Sequence, residues 1–87
     1  MTRIEISRFL DGSYVSAGFL SLNSGNTSID IIPNSDEDSL LLLNLLRHPL
    51  QLRGERITAT SHPLRFLQNL WRMHASYVRA SKPVSEE

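Results

Sequence analysis

Three arginines, Arg65, Arg72 and Arg79, stand seven residues apart in the last quarter of the chain. On one continuous helix that spacing sends their side chains in nearly the same direction, drifting only about 20° per step. At 1.5 Å of rise per residue they lie about 10.5 Å apart along the axis. Each planar guanidinium can pair bidentately with a phosphate or a carboxylate. Gln68, Asn69 and Ser76 widen the polar face, Lys82 extends it, and Arg53 and Arg56 on the preceding β segment can join it. The chemistry such a ridge offers is binding of an anion, a nucleic-acid backbone above all. The plainer account is the solvated face that every amphipathic helix needs. It carries more weight, because no recognised nucleic-acid motif accompanies the ridge and the formal net charge is zero.

Histidine offers a second kind of chemistry. His48, His62 and His74 show none of the spacings of a helical ligand pair, and the chain contains no cysteine, so no metal centre is expected. Asn34, Asp36 and Asp38 alternate like the start of a calcium loop, but Ser39 and Leu45 stand where glycine and glutamate are required. Capping and helix-dipole complementarity explain those carboxylates. A catalytic reading needs one histidine to meet a serine or a carboxylate in space, which sequence alone does not decide. No phosphate-cradling glycine loop or nucleophile elbow is present, and no cofactor or small-molecule ligand is inferred.

A third feature is apolar. Leu40 to Leu43, Leu45 and Leu46 point in almost every direction around one helix, so a single sheet face does not bury them all. Leu41, Leu42 and Leu45 are the candidate dimer surface, since a small domain has few ways to hide surplus apolar area. Trp71 belongs to a residue type enriched at binding hot spots and is a candidate partner contact beside the arginines.

Local signals place these residues on elements. Ile4 and Ile6 alternate with polar residues, Asp11-Gly12 is a strong hairpin signal, and Tyr14–Leu22 returns beside the first strand. Gly18 within that return marks a bulge or a close approach of another backbone. A turn cluster, Asn23-Ser24-Gly25-Asn26, leads into a third strand through Ile29 and Ile31. Ser35 caps a helix expected over Asp36–Arg47, which Pro49 ends. Residues 50–60 read as one bent strand or as a hairpin turning at Gly54-Glu55. A last helix is expected from Pro63 to about Ala80, followed by a flexible tail over residues 81–87. The fold class is therefore α+β, a single domain over residues 1–80 in the order βββ-α-ββ-α, with two helices on one face of an antiparallel sheet.

Charge is sorted along the chain. Residues 1–43 hold two basic side chains against six acidic ones, and residues 44–82 hold seven basic against Glu55 alone. Such asymmetry points to partners rather than to fold. The N-terminus lacks a signal-peptide pattern, no run reaches the about 20 apolar residues of a membrane span, and cysteine is absent. A cytoplasmic protein without membrane association is expected. Its expected work is binding rather than catalysis, as a homodimeric protein–protein interaction module. The alternatives are a nucleic-acid binder using the basic helix face, and a small enzyme with a histidine pocket.

Overall fold

The computed structural model describes residues 2–72, 74–75, 78–81 and 84–85. Its main sheet begins with β1 (Thr2–Leu10) and β2 (Ser13–Leu22), an antiparallel hairpin. Asp11 and Gly12 turn it with φ of 50° and 88°, the doubly positive geometry that matches strand twist. Ile6 pairs with Gly18 and Ser7 with Ser16, so Ala17 is the extra residue of a β-bulge. β3 (Ile29–Pro33) then pairs with β2, Gly18 lying opposite Pro33. Both sequence expectations for Gly18 hold together: it sits in the bulge at φ 128°, and a Cβ there would overlap Ile32 O and Pro33 Cα.

Asn23 organises the β2–β3 loop. Its Oδ1 accepts from the backbone N–H of Thr27 and Ser28, at 2.8 and 3.3 Å, while its Nδ2 donates to Thr27 Oγ1 at 2.7 Å. Alanine at this position leaves those loop donors to water, and a loss of about 1–2 kcal/mol in unfolding free energy is expected from denaturant titration.

α1 (Asp36–Arg47) runs over the bounds that its sequence signals set. Ser35 Oγ accepts from Asp38 N at 3.2 Å, three acids occupy the first turn, and Arg47 closes the last. β4 (Leu50–Leu52) and β5 (Glu55–Ile57) form a separate two-stranded hairpin, so residues 50–60 do not make one strand. The turn falls one residue earlier than expected, on Arg53 and Gly54, at φ 52° and 80°. Only the earlier register places Leu50 opposite Ile57, both buried.

The largest departure from the sequence reading is the last helix. α2 covers only Pro63–Leu70 and closes at Trp71, with Arg72 N donating to Asn69 O at 3.1 Å. The chain continues into β6 (His74–Ala75), β7 (Val78–Ala80) and β8 (Val84–Ser85). β7 pairs with β1 through Ile6–Ala80, Ser7–Arg79 and Arg8–Val78, and β8 pairs with Thr2 and Arg3. The physical reason is the second edge of β1. A helix to Ala80 would leave that row of N–H and C=O groups unpaired, whereas β-branched Val78 is well suited to fill it. Ser81, which begins the expected tail, is tied to the same edge: its N–H donates to Glu5 O and its Oγ accepts from Glu5 N, each at 2.9 Å.

The sheet order is β3-β2-β1-β7-β6, with β8 beside the other end of β1. The protein is thus a small α+β domain. Ile4, Ile6, Leu20 and Leu22 from the sheet meet Leu42 of α1, Leu50 and Ile57 of the hairpin, and Phe66, Leu67 and Leu70 of α2 in one core. Among the described residues, no helix is long and apolar enough to cross a membrane.

Candidate functional site

The expected arginine ridge does not exist as a ridge. Because α2 stops at Leu70, Arg65 lies on the helix, Arg72 just beyond its cap, and Arg79 on β7 in the sheet. Arg79 stands over the ring of Tyr14 at 4.8 Å, and Tyr14 meets Phe9 edge-on with centroids 5.4 Å apart. Lys82 lies outside the described residues. Arg72 stands over the ring of Trp71 at 5.5 Å, and Trp71 itself is half-buried at the end of α2.

The fold brings a different trio together. Arg53 at the β4–β5 turn, Arg65 on α2 and Arg72 beyond it line one open cavity of about 340 Å³ with Gln51, Leu52 and Asn69. Three elements position them: a tight turn, one face of α2, and the point where the chain leaves the helix. Arg65 Nη1 contacts both carboxylate oxygens of Glu55, at 3.3 and 3.2 Å. Both side chains are about half exposed, so this pair contributes little to stability. A second cavity of about 330 Å³ shares Gln51, Leu52, Asn69 and Arg72 and continues toward Pro49 and Leu50. Asn69 fixes its own position by donating to Arg65 O at 2.8 Å. The sequence identified the charges and set Asn69 beside them, but not Gln51, because that proximity depends on where the hairpin folds against α2.

The leucines also need reassignment. Leu42 is fully buried, and Leu41 and Leu45 are half-buried against the core, so these three do not form an outward face. The exposed leucines of α1 are Leu40, at 66 %, and Leu43, at 39 %. Leu41, Leu45 and Leu46 pack against the shared core, and α1 lies on β2 and β3, which helical periodicity alone does not distinguish from an open flank.

One histidine does meet a serine and a carboxylate. His62 Nδ1 lies 3.0 Å from Ser61 Oγ, and His62 Nε2 lies 3.8 Å from Glu55 Oε1. These are the residue types of a hydrolytic triad, but the serine is committed elsewhere. Ser61 Oγ accepts from Thr58 N at 3.1 Å and from Thr58 Oγ1 at 2.8 Å, which occupies both lone pairs that a nucleophile needs. Neither arginine-lined cavity includes Ser61 or His62. The contacts close a turn ahead of α2. Among the described residues, no group of three His, Asp or Glu side chains could hold a metal ion.

Compared with protein-family models, with curated proteins and with solved structures, the chain matches none. Function must therefore be argued from its own surfaces.

One such surface is the outer edge of β3. Asn23 N donates to Ser28 O and Asn34 N to Ala17 O, each at 3.1 Å, which fixes the alternation of the β2–β3 ladder. Asp30 and Ile32 then direct their backbone groups to β2, while Ile29 and Ile31 direct theirs outward. Among the described residues, no strand pairs with that side. A depression of about 290 Å³ lies beside it, with Ile29, Leu43, Leu46 and Arg47 in its walls.

Proposed function

We propose that this protein is a non-catalytic protein–protein interaction module that works as a homodimer, joined through the outer edge of β3 and the adjoining ridge of α1. The observation that carries this reading is the self-complementarity of that ridge. Asp36, Leu40, Leu43 and Arg47 follow one another at helical spacings of four, three and four residues, along one side of α1. An antiparallel pair of such helices sets Asp36 of each copy against Arg47 of the other, and Leu40 against Leu43. A two-fold axis demands this kind of isologous match.

The strand edge supports the same symmetry. Antiparallel pairing of β3 about Ile31 joins the two Ile31 residues through both backbone groups, and gives each Ile29 N–H to the Pro33 carbonyl of the other copy. The alternative register, centred on Asp30, faces two like charges across the strands and is disfavoured. α1 follows β3 after only Asn34 and Ser35 and runs back along it, so antiparallel strands bring antiparallel helices.

Sedimentation equilibrium at micromolar concentration is expected to give twice the 9.9 kDa chain mass. Arg47→Asp should yield a folded monomer with unchanged far-ultraviolet circular dichroism, and Asp36→Arg added to it should restore the dimer. A monomeric parent chain at the highest soluble concentration, or a double charge swap that restores nothing, would remove this reading.

A further inference from the structure

The two joined cavities between the β4–β5 hairpin and α2 differ in chemistry along their length. One end is lined by Pro49 and Leu50, the other by Arg53 and Arg65, and Gln51, Leu52, Asn69 and Arg72 line both. A ligand that fits both ends has a compact apolar body with polar edges and a multiply charged anionic head. Three guanidiniums suit a dianionic phosphate better than a single carboxylate. Two side-chain amides, each able to donate and accept, suit the edge of a nucleobase better than an alkyl chain.

We propose that this groove binds a phosphorylated nucleoside unit, its phosphate among Arg53, Arg65 and Arg72 and its base against Pro49, Leu50 and Leu52. Gln51 and Asn69 read the edge of the base. Arg65 is held by Glu55 in the structure, so the phosphate competes with that carboxylate. Arg53 carries a second signature of a binding role. It sits at φ 52°, a conformation that costs a non-glycine residue about 1 kcal/mol and that asparagine adopts more readily. The turn keeps a long cation where local stability favours a short amide. The site stands apart from the β3 edge and does not depend on dimer formation.

The test is isothermal titration calorimetry with the four ribonucleoside 5′-monophosphates, an unphosphorylated nucleoside, inorganic phosphate, octyl phosphate and an oligoadenylate. The fluorescence of Trp71, the only tryptophan in the chain and a neighbour of Arg72, gives a second readout. At least one monophosphate is expected to bind about tenfold more tightly than phosphate, nucleoside or octyl phosphate. Arg53→Asn should weaken it about tenfold while leaving or raising thermal stability, so the loss cannot be ascribed to unfolding. Glu55→Gln frees Arg65 and should tighten binding severalfold, a gain that a merely structural pair would not give. An oligoadenylate that binds more tightly per site than the monophosphate, with strong salt dependence, identifies a single strand as the source; equal affinity identifies the free nucleotide. Octyl phosphate or nucleoside binding as well as every monophosphate, or no monophosphate binding at millimolar concentration, overturns the proposal.

Discussion

Gly18→Ala is expected to remove roughly half of the stability of this domain, whereas Gly25→Ala leaves it nearly unchanged. At φ 128° Gly18 occupies backbone space that L side chains rarely adopt, and holding such a residue there costs about 1–3 kcal/mol. A Cβ would also overlap Ile32 O and meet Pro33 Cα at 2.9 Å. Both are backbone atoms of β3, so no rotamer change relieves the clash and the strands must separate at the bulge, for a further cost of about 1–3 kcal/mol. Domains of this size have a total stability of roughly 4–13 kcal/mol. At Gly25 an added Cβ meets only the Thr27 side chain, at 3.8 and 3.9 Å, and φ is not in the positive region. Urea denaturation of the two variants is the comparison. The account fails if Gly18→Ala shifts the midpoint no more than Gly25→Ala does.

The contrast between those glycines shows which parts of the fold were legible in the sequence. Where a signal is local, the structure follows it. Asp11-Gly12 turns the first hairpin, Ser35 caps α1, and Pro49 follows its end. Each of these is decided by a residue's own backbone preference or by a side chain reaching three residues along. The periodicity that predicts the last helix continues to Ala80, and that periodicity is real. What overrides it is an open edge on β1, which sequence-local reasoning does not see. The consequence for the candidate site is direct. The Arg65, Arg72, Arg79 ridge needed helix over its whole length, and the chain instead leaves the helix after Leu70, carrying Arg79 to the sheet beside Tyr14.

The sorting of charge survives in altered form. Three of the early acids serve the start of α1, as expected. The later basic residues divide among separate tasks: Arg47 at the end of α1, Arg79 over an aromatic ring, and Arg53, Arg65 and Arg72 around one groove. A charge asymmetry that looked like one bipolar surface is therefore several local arrangements. Only the groove gathers like charge without a matching set of carboxylates, since Glu55 alone answers three guanidiniums among the described residues.

Arg8→Met is expected to cost about 2–3 kcal/mol, more than any other surface arginine, because of what it leaves behind. Arg8 lies on the same face of β1 as Ile4 and Ile6, and its guanidinium reaches α1, 3.4 Å from Glu37 Oε2 and 3.4 Å from Asp38 Oδ1. Asp38 is buried, and its Oδ2 accepts from Ser35 Oγ at 2.9 Å. Among the described residues Oδ1 has no hydrogen-bond partner, so the 3.4 Å contact with Arg8 Nε compensates it by charge alone. Removing the cation while keeping the apolar stem leaves a carboxylate out of water with no opposite charge, the case in which breaking a pair is far costlier than never having made it. The one-third exposure of Arg8 keeps the figure below that of a fully buried pair. Asp38→Asn in the Arg8→Met background should then recover stability, because a neutral amide needs no counter-charge and still accepts from Ser35. A double-mutant cycle by denaturant titration measures the coupling, expected at about 1–2 kcal/mol. If Arg8→Met and the double variant unfold at the same denaturant concentration as the parent, the ion pair contributes nothing, and α1 is held on the sheet by Leu42 and its apolar neighbours alone.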